Sequence, residues 1–203
     1  MSEERAWEVW DEDRAGQYIQ RYGTPQDPEP KHDRRMKLVA SLLEGQTVLD
    51  VGCGVGHLYP RIKEAHSYLG IDNSDWMLQL AMELQPECNF QKGDAYDLSP
   101  FGSFDTVVCQ SLLIHLPDIS KPIKEMWEHT NKALIFSTPV GESHAIHKTP
   151  CKGGYLILHI ETRKDIEKEI NRLEGVHKLE VHPEPNSGMN NTYFKACKKV
   201  KCV

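Results

Sequence analysis

The run "TVLDVGCGVGHL" occupies residues 47–58 and joins a carboxylate to a cluster of glycines. Asp50 stands inside an apolar, strand-like stretch, and Gly52, Gly54 and Gly56 follow at spacing two. Glycines at a strand exit let the backbone turn tightly and approach a ligand with no β-carbon in the way. The spacing does not give the GxGxxG fingerprint of a dinucleotide site: counted from Gly52 the third position is His57, and counted from Gly54 it is Tyr59. Phosphate would be repelled by a carboxylate set just before the turn. Asp50 suits a ligand that carries positive charge.

These residues need elements to position them. Helix periodicity covers 3–23, with Trp7, Trp10 and Tyr18 interrupting a polar surface, and "GTPQDPEP" at 23–30 is a Pro-rich linker. A second helix, 31–44, presents Met36, Val39, Ala40 and Leu43 on one face. Strand and helix patterns then alternate, with strands expected at 47–51, 67–71, 88–91, 104–109 and 132–138. Helices are expected at 56–65, 74–84, 119–130 and 162–173. "HKLEVHP" and "NNTYFKACKKV" close the chain as two extended runs with no helix between them, which predicts an antiparallel hairpin. Alternation of this kind implies a doubly wound α/β sheet with helices on both faces. The ligand then lies beyond the carboxyl ends of the strands, where strand order reverses.

Length and composition set the outer bounds. A chain of 203 residues fits one domain, read as 1–45 for N-terminal helices that pack on the core or form a lid, and 46–203 for the main domain. The net charge of -6 offers no basic field for nucleic acid or an anionic membrane. Apolar runs are too short to span a bilayer, and "MSEERAWEVWDEDR" lacks the apolar region of a signal peptide. Cys53, Cys88, Cys109, Cys151, Cys197 and Cys202 form no CxxC pair, so reduced thiols and a cytoplasmic location are expected.

A strand with Asp followed by GxGxG resembles motif I of the class I S-adenosylmethionine-dependent methyltransferases. "LGID" at 69–72, "IDNSDWML", "KGDAYDLSPFGSFDTVVC" and "FDTVVCQSLLIHLPD" resemble the family's following blocks, in order, from about 46 to 140. The resemblance implies a Rossmann-like, seven-stranded mixed sheet with the last strand antiparallel. It implies S-adenosylmethionine as methyl donor and S-adenosylhomocysteine as product. Asp72, with Asn73 beside it, would accept hydrogen bonds from the ribose hydroxyls. Met77 would flank the adenine, Asp94 would approach its amino group, and Gly93 and Ala95 would offer backbone. Gly52, Cys53 and Gly54 would pass beside the amino acid part, and Gln110 would border the site at the fourth-strand exit. Asp50 would orient the glycine loop and pair with the ligand's ammonium directly or through water; its alternative is a strand-end cap bonded to loop amides.

Methyl transfer from a sulfonium is an in-line displacement, so positioning can supply much of the acceleration. A base is needed only if the acceptor must lose a proton. By position, His115 in "LLIHLPD" is the candidate base, and its alternative is to shape the pocket. His144, His147, His159 and Cys151 lie in "PVGESHAIHKTPCKGGYLILHI", a segment expected to cover the acceptor; these side chains read as surface or pocket lining rather than a metal site. Trp7, Trp10, Tyr18 and Tyr22 either form a lid over the donor or pack the first helix on the body. "CQSLL" replaces the Asn/Asp-Pro-Pro-Tyr loop of base and glutamine methylases, and "KACKKVK" is a short, solvated basic run. A small-molecule acceptor is expected, with no nucleic acid or membrane partner. The alternatives are a protein or peptide acceptor, or a catalytically silent cofactor-binding paralogue that acts as a partner protein. Oligomeric state is not legible.

Overall fold

The computed structural model describes residues 10–151, 154–184 and 190–199. Trp7 and Cys202 lie outside them, as do the first part of the expected 3–23 helix and the end of the basic run. Two helices come first, α1 (Glu12–Tyr22) and α2 (Pro30–Leu42). Asp11 caps α1 by accepting from the Arg14 amide, and Pro30 opens α2, where its missing N–H costs nothing.

The core alternates as expected: β1 (Thr47–Val51), α3 (Tyr59–Ile62), β2 (Ser67–Asp72), α4 (Asp75–Leu84), β3 (Phe90–Lys92), β4 (Phe104–Gln110), α5 (Ser120–Glu128) and β5 (Thr130–Gly141). A hairpin follows, β6 (Ala145–Cys151) and β7 (Gly154–Thr162), then α6 (Arg163–Asn171), β8 (Val176–Pro183) and β9 (Asn191–Lys198). The central sheet runs β3-β2-β1-β4-β5-β9-β8. Strands β1 to β5 pair in parallel, and β9 is antiparallel to both of its neighbours. This is the seven-stranded mixed sheet implied by the sequence, with the terminal hairpin completing one edge.

Side-chain alternation splits β1 between two apolar layers. Leu49 and Val51 pack with α5 and α6 through Ile123, Met126, Ile166 and Ile170. Val48 packs on the other face with Met36 and Val39 of α2, Leu78 and Ala81 of α4, and Ala15 of α1. Asp50 shares that second face by period two, which is why a carboxylate is buried under the N-terminal helices.

Three expectations shift. The 56–65 helix shrinks to the single turn α3, because residues 53–58 are used in the glycine turn and Pro60 enters at the first helical turn. Strand β5 runs on to Gly141 and forks. Ala133–Pro139 pair with β9, while Val140 and Gly141 pair with Glu161 and Thr162 of β7. The segment after β5, to which the sequence reading assigns no strand, is the β6–β7 hairpin. The five described cysteines are unpaired.

Candidate active site

The chain leaves β1 for β2 on one side and later returns to β4 on the other, so the carboxyl ends of β1, β2 and β4 open at the point of reversal. The glycine turn is fastened there from several directions. The Gly52 and Cys53 amides donate to the Ile71 carbonyl at 2.8 and 3.0 Å. Gln85, fully buried, donates from Nε2 to the Val55 and Gly56 carbonyls at 2.7 and 3.1 Å. Asp72 accepts the Gly54 amide on Oδ2 and the Ser74 amide on Oδ1, both at 2.9 Å. Gly54 has φ +55°, and a β-carbon on it would sit 3.2 Å from Met77 Cε and 3.9 Å from Tyr18 Oη.

A cavity lies over this turn. Gly52, Gly54, Asp72, Asn73 and Met77 line it from β1, β2 and α4. Gly93, Asp94 and Ala95 line it from the β3 exit, and Gln110 and His115 from the β4 exit. Asp50 and Cys53 are absent from its wall. They line a smaller recess behind it, with His57 and Tyr193, and the two spaces share Tyr18, His32, Arg35, Gly52, Gln110 and Ser111. Cys53 turns its thiol back toward the sheet, where Sγ would lie 2.9 Å from a β-carbon on Gly70.

Asp50 is 3% exposed, and burial raises its carboxyl pKa to about 7. Its Oδ2 accepts from the Tyr68 hydroxyl at 2.9 Å. Among the described residues it is Asp72, not Asp50, that catches a loop amide, so the strand-end-cap reading of Asp50 gives way to a carboxylate held by a tyrosine. Burial also raises Asp72, while the Ser74, Gly54 and Asn73 amides pull it down.

The first helix lies across the opening. Trp10, Tyr18 and Tyr22 all line the main cavity, and Ser74 Oγ donates to the Trp10 carbonyl at 2.8 Å. Tyr18 meets Tyr22 at 4.7 Å between ring centroids, and His32 meets His57 at 4.4 Å. Both ring nitrogens of His32 are buried without a hydrogen-bond partner, and burial lowers its pKa to about 3. His57 is lowered to about 4 by burial, against its contact with the Gly23 carbonyl at 2.9 Å.

His115 sits in the 113–115 turn, with its ring 5.7 Å from that of Trp10. Its Nδ1 is buried and unpartnered, and burial pushes its pKa down to about 4, helped by the Arg14 guanidinium. The near-neutral pKa assumed for a base is therefore lost on folding, and His115 stands neutral above about pH 5. A second cleft of about 620 Å³ opens on its far side, walled by α1, α2, the β5 end and β7. Leu156 and Leu158 of the hairpin reach this cleft, whereas His144 approaches Glu161 at 3.5 Å, His147 is exposed and His159 is buried, near enough to His115 to help lower its pKa.

His32, Arg35, Ser74, Ser111 and Gln85 are the site residues that motif reading passes over. Ser111 carries a visible signal only in the structure, a φ of +56° at the β4 exit. The others lie on helices or at their caps, where spacing alone does not separate a cavity-facing residue from a core-facing one.

Sheet order, reversed last strand and a cavity over the first strand's glycine turn define a Rossmann-like class I methyltransferase architecture. Residues 48–133 match the methyltransferase domain family. It is 36% identical over 108 residues to trans-aconitate 2-methyltransferase of Deinococcus radiodurans, covering 50% of this chain and 41% of that one. It is 32% identical over 106 residues to sterol 24-C-methyltransferase of Pneumocystis carinii, covering 48% and 28%. The chain thus spans less than half the length of these relatives. In structure it is similar to magnesium protoporphyrin IX methyltransferase of Synechocystis with S-adenosylmethionine bound, at TM-score 0.66 and 23% identity over 83% of this chain and 80% of that one. A glycopeptide N-methyltransferase gives TM-score 0.66 at 15% identity, covering 82% and 90%.

Proposed function

We propose that this protein moves a methyl group from S-adenosylmethionine to a small-molecule acceptor seated in the second cleft. The observation that carries this reading is the seam between the two spaces: Trp10, Tyr18, Tyr22, Arg35, Ser111 and His115 line both the cavity over the glycine turn and the cleft beside it. A donor in one and an acceptor in the other would meet at that wall. The cleft's volume is in the range of small-molecule sites. The names of the two sequence relatives also point to small-molecule acceptors.

The residues present fit the donor. Asp72 and Asn73 at the β2 exit would hold the ribose, with Met77 and the 93–95 backbone about the adenine. Asp50, His32 and Arg35 surround the inner recess. There a buried carboxylate faces an ammonium's charge, and the unpartnered imidazole and the guanidinium suit a carboxylate. When bound, the donor supplies a methyl group already activated by sulfonium charge. The chain's part is then to orient the reactants, with α1 excluding water over the cavity. His115, neutral and unpartnered at Nδ1, positions the acceptor at the seam rather than taking a proton. An acceptor that needs no deprotonation, or one that loses its proton to water, fits this arrangement.

Calorimetry with S-adenosylhomocysteine tests the donor half: one molecule bound per chain supports the reading, and no binding overturns it. Radiolabelled methyl transfer across a panel of small acceptors tests the other half, and donor binding without transfer to any of them would favour the silent-paralogue reading.

A further inference from the structure

The acceptor cleft has a charge pattern opposite to that of the chain. The molecule carries a net charge of -6, yet Arg14, Arg21, Lys31 and Arg35 all line the cleft against a single carboxylate, Glu29. Glu29 is engaged as the N-cap of α2, its Oε2 accepting the His32 amide at 3.0 Å. Arg35 is neutralised by Glu184, with Nε to Oε2 at 2.9 Å. Arg14, Arg21 and Lys31 have no ion pair with a described residue; Arg21 only lies over the Tyr22 ring, 5.3 Å from its centroid.

Spacing makes the pattern regular. Arg14, Gln17, Tyr18 and Arg21 stand three, one and three residues apart on α1, and Lys31 and Arg35 are four apart on α2, so two helices present cationic stripes to one space. Lys31 and Arg35 are like charges four apart on one helix face, which costs stability rather than adds to it, and of the four cations only Arg35 has a carboxylate partner among the described residues. The facing wall is apolar: Ile114, Pro139, Leu156 and Leu158.

We infer that the cleft binds an amphipathic organic anion, its charged head between Arg14 and Lys31 and its apolar body on the β7 wall, as the methyl acceptor or the acceptor's anchoring part. This rests on the proposed function and narrows its acceptor. Placement of the head at Arg14 sets it beside His115, whose pKa that same guanidinium lowers.

The probes are decanoate and 3-phenylpropionate, each compared with its neutral amide, titrated by calorimetry against the protein saturated with S-adenosylhomocysteine. The carboxylates should bind about tenfold or more tighter than their amides, the discrimination expected from hydrogen bonds to a charged group. The double substitution Arg14→Gln, Lys31→Gln should abolish that preference. In the same variant the affinity for S-adenosylhomocysteine should stay within about twofold, because neither side chain lines the cavity over the glycine turn. Carboxylates that bind no better than amides, or a variant that keeps the preference, would overturn the inference. Failure of S-adenosylhomocysteine to bind the wild-type protein would instead overturn the donor assignment, so the two failures are separable. Sodium chloride adds a further check: anion binding should weaken as salt rises, whereas amide binding should not.

Discussion

At the scale of single residues, Asp72 does two things with one carboxylate. It fastens the Gly54 and Ser74 amides, and it stands at the strand end where a ribose would lie. Asp72→Ala should weaken S-adenosylmethionine binding by about 1.5–3 kcal/mol, the range for hydrogen bonds to a charged group. Calorimetry reads this directly, and an unchanged Kd would remove Asp72 from the donor site. The structure recasts His115 more sharply. An imidazole with a pKa near 4 is already unprotonated at neutral pH, but it is a poor proton acceptor there. Turnover between pH 5 and 9 should therefore show no inflection from His115, and His115→Asn should keep activity within about tenfold of wild type. A loss of about 100-fold in both the Asn and Ala variants would restore it as the base.

At the scale of elements, the glycine turn is the part on which the rest of the site depends. Gly54→Val should abolish donor binding while the sheet stays folded. The φ of +55° disfavours a branched residue, and its side chain would enter the cavity between Met77 and Tyr18. Circular dichroism together with calorimetry checks both halves, and normal binding by a folded variant would move the donor elsewhere. This element was legible because its signals are local: a short apolar strand, three glycines, and a carboxylate where an apolar residue belongs. The β-α alternation and the terminal hairpin were legible for the same reason. What stayed hidden depends on tertiary placement. The β6–β7 hairpin carries a turn signal at 151–154, yet Pro150 and a mixed polar pattern obscure its first strand. Gln85 clamps the loop from 29 residues away, and His32 enters the recess only because α2 folds across the β1 exit. The two readings of Asp50, loop cap or partner to the ligand's ammonium, could not be separated from sequence, since Tyr68, its partner, lies on the neighbouring strand.

At the scale of the whole molecule, three histidines are held neutral by burial: His32 at about 3, His57 at about 4 and His115 at about 4. Their unfolded pKa is near 6.5, so between about pH 6.5 and 4 the unfolded chain binds more protons than the native one. Stability contributed by these groups is present above pH 6.5 and is lost as pH falls. Asp50, raised to about 7, acts in the opposite sense, favouring the native state below its unfolded pKa and losing that contribution as pH rises toward 7. Asp72, also raised by burial, acts in the same sense as Asp50. With three histidines against these two carboxyls, Tm should fall as pH is lowered from 6.5 to 4, and His32→Gln should flatten that slope. A Tm that is level or rises over that interval would contradict the assigned burial. The fork in β5 carries a different consequence. Among the described residues, the central sheet and the hairpin that walls the second cleft pair as strands at two positions, Val140 with Glu161 and Gly141 with Thr162. A strand that serves two masters lets one of them be replaced. Substitutions, insertions or an exchanged hairpin between 142 and 162 should therefore reshape the wall of the second cleft, and with it the acceptor taken on the proposed reading, while the cavity over the glycine turn is left undisturbed.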